Sequence, residues 1–380
     1  MKRRQLLLGS LPVAMQAIQA LQPAWAASNE AQPGEETAWR LATAWRVAGT
    51  SARDAGDRVG IFRVDWAAGH LQVLAEQAIP SRAHGLLPLA DGGFIAVAAR
   101  PGRWLMRCDA QGDVVRQWSM ADDTSPRSFD GHVEASADGA WLYTVETDPA
   151  TGAGWISVRD AQTLQRVAQF SSGGIDPHQL LLAPDGHLVV ANGGIVRDNQ
   201  GRKIALERMD SSLVRLDGRN GALLGQWRLP DARLSLRHIA WAQGPKALLG
   251  IALQAEHDRP ERRAEAPLLA LWDGQALSLP STDAGGGGYA GDIAAAPGGG
   301  FVLSAQKQRL GLWWHPEQPA VLTRVAELTE PCALVPGADG RGVVLGAARG
   351  LARWHARLPA RMLAWPVPLA PDNHAVRLVG

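Results

Sequence analysis

Cysteine is almost absent from this chain, with only Cys108 and Cys332 among 380 residues. Two cysteines so far apart cannot form a disulfide framework or a CxxC metal site. Neither sign of charge is in excess, because 38 Lys and Arg face 37 Asp and Glu, giving a formal net charge of +1. The sequence therefore offers no general attraction for nucleic acid, anionic lipid or acidic substrates. Beyond the first 21 residues, no apolar run reaches the roughly 18 residues that a membrane-spanning helix needs.

Tyrosine and phenylalanine are also scarce, with 2 and 5 residues, whereas the chain has 42 Gly and 15 Trp. This balance favours many short strands separated by tight turns over a helical bundle. The hydrophobic content of 46% is normal for a globular protein and too high for a disordered one.

The amino terminus has the pattern of an export signal. Arg3 and Arg4 precede a weakly hydrophobic stretch over residues 6–21, and an A-x-A cleavage motif follows at 24–26. We therefore predict that residues 1–27 form a cleaved signal peptide and that the protein is periplasmic. The paired arginines favour twin-arginine export, with the Sec route as an alternative. An amphipathic amino-terminal helix is a further alternative.

A repeated unit organises the rest of the sequence. Each copy opens with a polar residue, continues with a short apolar run and ends in Asp-Gly or a related turn pair, which is typical of a tight hairpin. The copies begin 40 to 60 residues apart, at His84, His132, His178, His238, Asp292 and Cys332.

Further strands follow each apolar run, which gives four strands per copy. Four strands in about 40–50 residues is typical of a β-propeller blade. The segment that begins at His374 looks like a first strand with nothing after it, while residues 40–65 look like strands that lack a first one. The sequence thus predicts one all-β domain over 28–380, a seven-bladed propeller whose last blade combines both termini. A β-sandwich with coincidental spacing is the alternative.

In a propeller, the first strand of each blade lines the central channel. The residues that open these strands should therefore converge at one mouth of the channel: His84, His132, His178, His238, Asp292, Cys332 and His374. Imidazole, thiolate and carboxylate groups are ligands of iron, copper and zinc, so this ring predicts a metal or metal-bearing ligand, with iron or copper favoured. Because the channel of a seven-bladed propeller is expected to be wide, one ion would recruit two to four of these residues. Histidines that only hydrogen-bond one blade to the next, or that bind an organic ligand, remain open alternatives.

Three further polar residues lie near the same face. Glu146 and Asn192 end second strands, and Arg237 precedes His238. Arg237 could pair with a carboxylate of the ring, bind an anion or form a salt bridge between blades.

Two long loops, 192–210 and 254–267, should open on this face, and long loops in compact domains are often functional. His257 lies in the second loop among charged residues, where a solvated side chain is expected.

The sequence resembles a family of exported bacterial β-propellers of unknown function. The stretches that carry the resemblance span residues 130–161, 170–195, 234–241 and 372–376, with SGGIDPHQLLL and VVANGGI as the most specific. The resemblance implies a periplasmic propeller linked to iron or metal handling, encoded beside imelysin-type iron-uptake proteins. Such a protein would be an expected partner. The histidines typical of the family map onto His132, His178, His238 and His374.

This chain departs from the family pattern in its fifth blade, where Gly291-Asp292 replaces a usual Gly-Ser. The combined prediction is a non-catalytic metal-binding accessory protein, whose neutral imidazoles bind metal above about pH 6.5. A protein-interaction scaffold with structural histidines is the alternative. A metal- or quinone-dependent enzyme is less favoured, because the ring has one Asp and the sequence lacks G-x-S-x-G, P-loop, HExxH and CxxCH motifs.

Overall fold

The structure is a computed structural model that describes residues 38–47, 56–123, 127–198, 200–280 and 287–379. The predicted export signal, residues 1–27, lies outside these ranges. Strands make up most of the described chain. In chain order they are β1 (Trp39–Val47), β2 (Asp57–Asp65), β3 (His70–Ala78), β4 (Ala83–Pro88), β5 (Phe94–Ala98), β6 (Trp104–Cys108), β7 (Val114–Ser119), β8 (Ser128–Ala135), β9 (Trp141–Thr147), β10 (Ala153–Asp160), β11 (Arg166–Ile175), β12 (Pro177–Leu182), β13 (Leu188–Asn192), β14 (Ser212–Leu216), β15 (Leu223–Trp227), β16 (Leu234–Trp241), β17 (Leu249–Ala255), β18 (Leu269–Trp272), β19 (Leu277–Ser278), β20 (Ile293–Ala296), β21 (Gly300–Ala305), β22 (Leu310–Trp314), β23 (Leu322–Glu327), β24 (Leu334–Pro336), β25 (Gly342–Ala347), β26 (Gly350–His355), β27 (Arg361–Ala364) and β28 (Leu369–Arg377).

These strands form seven antiparallel four-stranded sheets, which confirms the predicted seven-bladed propeller. Blades 1 to 6 follow the chain in groups of four, from β4–β7 to β24–β27. Blade 7 has the strand order β28-β1-β2-β3, so the carboxyl-terminal strand is hydrogen-bonded to the amino-terminal ones. As predicted, the two ends of the chain close the ring within one sheet, because β28 pairs with β1.

The position of a strand within its blade explains its composition. Second strands such as β5 (FIAVA) and β17 (LGIALQA) are buried throughout, because sheets of neighbouring blades cover both of their faces. The outermost strands β7 and β15 are largely exposed. The hydrophobic pattern of each repeat therefore orders its strands from the channel to the rim.

The core is divided among the interfaces between blades. In the described part of the chain, seven hydrophobic clusters each join two neighbouring blades, one for every interface of the ring. Tryptophan supplies much of this contact. The rings of Trp227 and Trp272 lie 4.9 Å apart between blades 3 and 4, and those of Trp313 and Trp354 lie 5.2 Å apart between blades 5 and 6.

The Asp-Gly pairs form the tight turns that the repeat predicts. Gly92 has a φ of +81°, a conformation that few other residues adopt, and the Asp91 carboxylate accepts a hydrogen bond from Gly93 N at 3.0 Å. The turn fixes the register of β4 against β5, and with it the position of His84.

In the part of the chain that the structure describes, helical structure is limited to one short α-helix, α1 (Pro260–Glu265), and to 3-10 turns at Met120–Asp122, Leu206–Arg208, Pro297–Gly299 and Gln306–Gln308. Within the described ranges, no helix is long and apolar enough to cross a membrane.

Candidate metal centre

Five imidazoles meet at one end of the central channel, and each one lies at an irregularity of its strand. The register of the innermost strand against its neighbour shifts at this point in blades 1, 2, 3, 4 and 7. Such bulges rotate a side chain out of the regular alternation. Blades 5 and 6 show no register shift in the pairs β20–β21 and β24–β25. The bulged residues are His84, His132, His178, His238 and His374, named here the histidine cluster.

The histidine cluster is compact. The ligand nitrogens of His84, His132, His178 and His238 all lie within 4.8 Å of one another. The Nε2 atom of His238 lies 2.8 Å from Nε2 of His178 and 3.0 Å from Nε2 of His374. The bulges bring imidazoles from five adjacent blades together, and four of them are close enough to hold one ion, at the upper end of the two to four expected.

A glycine makes this packing possible. Gly131, next to His132, has a φ of +103°, and a Cβ at this position would lie 2.7 Å from Cδ2 of His84. Only glycine lets the backbone of blade 2 approach the His84 ring this closely.

The imidazoles are buried, with exposed fractions from 2% for His238 to 9% for His84. Burial lowers the pKa of His84 to about 3, although the neighbouring Asp372 carboxylate partly opposes this. Burial, reinforced by neighbouring imidazole and arginine groups, holds the pKa values of His132, His178 and His238 well below the ordinary value. These three rings and His84 are therefore neutral at physiological pH, which is the form that binds metal.

Several nitrogens of the cluster lack a partner among the described residues. They are Nε2 of His84, Nε2 of His132 and Nδ1 of His238. A buried polar atom without a partner costs roughly 1–3 kcal/mol, so native proteins rarely keep several together. The two unsatisfied Nε2 atoms mark the cluster as a site for a ligand that accepts lone pairs.

On one side of the cluster, carboxylates stand behind the imidazoles. Asp372 Oδ1 lies 3.9 Å from Nδ1 of His84, and Asp292 Oδ2 lies 3.6 Å from Nδ1 of His374. Asp372 is also bound by Arg82 at 2.6 and 2.9 Å. Burial raises the pKa of Asp372, but the nearby His84 ring and the hydrogen-bonded Arg82 guanidinium outweigh it and hold this pKa well below its usual range. A negative charge behind Nδ1 keeps the proton there and leaves Nε2 free to bind metal.

On the other side, an arginine stands behind the imidazole. Arg100 donates from Nη2 to Nδ1 of His178 at 2.5 Å, and its Nη1 forms an ion pair with Asp176. Arg197 and Arg237 also bind Asp176, at 2.7 and 2.9 Å. Burial raises the pKa of Asp176, but the three guanidinium groups outweigh it and lower this pKa below its ordinary value.

Arg237 is therefore half of a buried ion pair with a carboxylate, and it joins blade 4 to blade 3. This matches one of the roles expected from the sequence. A cavity of about 180 Å³ adjoins this arginine group, with Asp130, Asp176 and Arg197 among its lining residues.

The two ring positions that are not histidine are engaged differently. Asp292 accepts hydrogen bonds from the backbone of Ile293 and Leu334, both at 2.9 Å, so it supports His374 and ties blade 5 to blade 6. The Cys332 thiol donates to the carbonyl of Gly346 at 3.3 Å, and burial raises its pKa to about 12. The thiol is therefore protonated, whereas metals bind the thiolate. We leave Cys332 out of the proposed donor set.

Glu146 and Asn192 belong to buried networks of blades 2 and 3. The Glu146 carboxylate pairs with Arg159 at 2.7 Å and accepts a hydrogen bond from Thr144. Asn192 exchanges hydrogen bonds with Ser172, at 2.9 Å to the hydroxyl and 3.1 Å to the carbonyl, and links β13 to β11. Both residues thus hold strands together in this structure.

The two long loops contact each other at the rim of this face. Lys203 in loop 192–210 forms an ion pair with Glu256 in loop 254–267. The expectation of a solvated His257 was wrong, because this side chain is buried and its Nε2 lies 2.8 Å from Asp231. In the sequence, His257 stands among charged residues, which suggested exposure to solvent. In the structure it contacts Asp231, which lies in the loop between β15 and β16.

Sequence reasoning missed Arg100, Asp176 and Asp372, although a signal was present. Aspartate stands two residues before histidine at 130 and 132, at 176 and 178, and at 372 and 374. Residues two apart in a strand share a face, so the repeated Asp-x-His pattern could have indicated carboxylates beside the imidazoles. Arg100 had no such signal, because it reaches His178 from another blade.

Solved structures share this fold at low sequence identity. The periplasmic gluconolactonase of Pseudomonas aeruginosa is 14% identical, with a TM-score of 0.62 over 90% of this chain and 99% of that one. A putative 6-phosphogluconolactonase of Bacteroides fragilis is 12% identical, with a TM-score of 0.60 over 92% and 100%. A streptogramin B lyase is 12% identical, with a TM-score of 0.51 over 81% and 95%. At such identities the likeness concerns the fold alone.

No curated protein matches this sequence. A family model described as a protein of unknown function, DUF1513, matches residues 77–378. This match takes in blades 1 to 6, the carboxyl-terminal strand and every member of the histidine cluster. It spans most of the 380 residues, and the chain therefore belongs to the DUF1513 family.

Proposed function

We propose that the histidine cluster binds one first-row transition metal ion, with iron or copper as the favoured metals. The observation that carries this proposal is the pair of buried Nε2 atoms without partners, on the adjacent imidazoles of His84 and His132. A metal ion accepts the lone pairs of several imidazoles at once and removes the cost of leaving them unsatisfied.

The geometry fits such an ion. Metal–nitrogen bonds of about 2 Å place neighbouring donor atoms roughly 3 Å apart. The Nε2 atoms of His238 and His374 are already at 3.0 Å, and the ring centroids of His84, His132, His238 and His374 lie between 4.6 and 5.8 Å from one another. Carboxylates behind His84 and His374 supply the outer support that metal-binding imidazoles usually have.

The biological role that we propose is an accessory one in periplasmic metal uptake. Its supports are the export signal predicted over residues 1–27 and the resemblance to propellers encoded beside imelysin-type iron-uptake proteins, one of which would be the partner. The paired loops 192–210 and 254–267 offer that partner a polar surface beside the metal.

Metal titration tests the proposal. The metal-free protein, prepared by chelation, is titrated with Cu²⁺, Fe²⁺ and Zn²⁺ at pH 7.5 by calorimetry, and bound metal is counted by elemental analysis. We expect one tightly bound ion, and an affinity at least 100-fold lower in the double variant His84→Ala and His132→Ala. The variant His70→Ala, whose exposed side chain lies on β3, is the matched control. A protein that takes up none of the three metals would make the cluster a structural one and overturn the proposal.

A further inference from the structure

The proton of His178 is fixed by its neighbour. A guanidinium group carries only hydrogen-bond donors, so Nδ1 of His178 must accept from Arg100 through its lone pair. A neutral imidazole has one N–H, and this one must therefore be on Nε2. This N–H points to Nε2 of His238 at 2.8 Å, which is the distance of a good hydrogen bond.

His84 and His374 have the opposite arrangement. Their Nδ1 atoms face the carboxylates of Asp372 and Asp292, which favour a proton on Nδ1 and a lone pair on Nε2. His84 and His374 are thus prepared to bind metal through Nε2, whereas His178 presents a hydrogen atom at the same place.

We infer that His178 is not a metal ligand but a hydrogen-bond donor to an anionic ligand of the metal, such as hydroxide or a small carboxylate. The metal would be bound by His84, His132, His238 and His374. This inference rests on the proposed function, since it assigns the roles of residues within the same site.

The N–H of His178 needs such an acceptor once a metal ion is bound. When Nε2 of His238 gives its lone pair to a metal, the N–H of His178 loses the partner that it has in this structure. A buried N–H must find another acceptor, and an anion bound to the metal is the group that would lie within its reach.

The charge balance favours an anion too. Three guanidinium groups surround the single carboxylate of Asp176, which leaves an excess of positive charge beside His178. A divalent ion held by four neutral imidazoles adds two further charges. The carboxyl group of Asp130, also buried nearby, can compensate at most one of these charges. An anionic ligand neutralises this charge, because buried charges need partners.

The tautomer is measurable in the metal-free protein. Long-range proton–nitrogen NMR spectra of histidine distinguish an Nε2–H from an Nδ1–H imidazole. We expect His178 as the Nε2–H form, and His84 and His374 as Nδ1–H forms. Arg100→Met should release His178 into a mixture of tautomers, whereas Arg82→Met, the matched control on the opposite side, should leave it unchanged. An Nδ1–H form of His178 in the wild-type protein would overturn the inference.

Two substitutions test the donor role. His178→Gln keeps an N–H near the Nε2 position, and His178→Leu removes it. We expect copper affinity to change less than about 3-fold in the Gln variant, against a loss of at least 100-fold in His84→Ala. Azide or formate titrated into the Cu²⁺-loaded protein and followed by optical and EPR spectra should bind about 10–100-fold more weakly to the Leu variant than to the Gln variant, the usual effect of losing a hydrogen bond to a charged group.

The outcomes separate this inference from the proposed function. If His178→Gln lost copper as fully as His84→Ala, His178 would be a ligand and the inference would be wrong, although the metal site would stand. If the wild-type protein bound no metal, the proposed function and the anion assignment would both fail. The NMR result would then still decide the tautomer.

Discussion

The two sides of the histidine cluster use the same residue type in opposite ways. On the carboxylate side, Asp372 and Asp292 stand behind His84 and His374. On the arginine side, Arg100 stands behind His178 and is itself tied to Asp176. All three imidazoles are buried at bulges of innermost strands, so neither burial nor register distinguishes them. The difference lies in the charge of the group behind Nδ1, which decides whether Nε2 carries a lone pair or a hydrogen atom.

The sides also differ in how their charges are compensated. Asp372 pairs with one arginine, Arg82, whose side chain is 53% exposed and keeps most of its hydration. Asp176 pairs with three arginines whose side chains are between 8% and 17% exposed. The arginine side should therefore depend much more strongly on its single carboxylate.

The largest expected effect is that of Asp176→Ala. Removing this carboxylate takes from three largely buried guanidinium groups the one carboxylate that pairs with all of them, and such losses cost about 3–5 kcal/mol. Urea unfolding of the metal-free protein measures the change in the free energy of unfolding. Asp372→Ala is the matched comparison and should cost clearly less, because Arg82 can return to water. Equal losses for the two variants would contradict the distinction between the sides.

The second effect concerns metal affinity on the carboxylate side. Asp292→Asn removes the negative charge that holds the Nδ1 proton of His374, and the loss of such support typically lowers metal affinity about 10–100-fold. Calorimetric titration with Cu²⁺ measures the change. Asp339→Asn is the control, since Asp339 contacts His355 at 2.9 Å outside the cluster and its loss should leave the affinity unchanged. If the Asp292→Asn variant bound copper with unaltered affinity, the carboxylate side would not contribute to metal binding.

The third prediction concerns pH. The pKa of His84 is about 3 in the folded protein and has its ordinary value of about 6.5 in the unfolded chain. Between these pH values, the unfolded chain therefore binds more protons than the folded protein does. The free energy of unfolding should therefore fall as the pH is lowered below about 6.5. His84 alone should contribute a loss on the order of 1–2 kcal/mol by pH 5. Urea midpoints between pH 7.5 and 5 measure the slope, and His84→Asn should flatten it. Equal slopes for both proteins would show that His84 is not buried in its neutral form.

The same lowered pKa values shift the expected release of metal. The sequence led us to expect release near pH 6.5, the ordinary value for histidine. Neutral imidazoles at the site should instead retain metal to lower pH, since protons compete less well for them.

The smallest expected effect on metal affinity tests the approach of blade 2 to His84. Gly131→Ala introduces a Cβ against the His84 ring and strains a positive φ, at a cost of about 1–3 kcal/mol. Gly139→Ala has a similar strain, with φ at +70°, but a Cβ there has open space around it. Both variants should lose stability in urea unfolding, but only Gly131→Ala should also lower copper affinity by a few-fold. Loss of affinity in both would point to a general loosening of the blade.

Much of the fold was predictable because propeller repeats are local. The apolar run, the Asp-Gly turn and the spacing of about 40–60 residues each reflect a single four-stranded sheet, and the incomplete repeats at the two ends predicted the shared blade. The opening residues of the repeats also identified all five imidazoles. The two long loops could be placed on this face, but the burial of His257 against Asp231 could not be foreseen, since the partners belong to different loops.

The sequence by itself determined which residues reach the channel, because strand order and register follow from hydrophobic pattern and turn chemistry within each repeat. Only the tertiary structure decided what those residues can do. The bulges that bring five rings together, and the charged groups behind each ring, come from contacts between blades that are distant along the chain. Since the field of a neighbouring charge selects the tautomer of an imidazole, identical histidines became different chemical groups only when the ring closed.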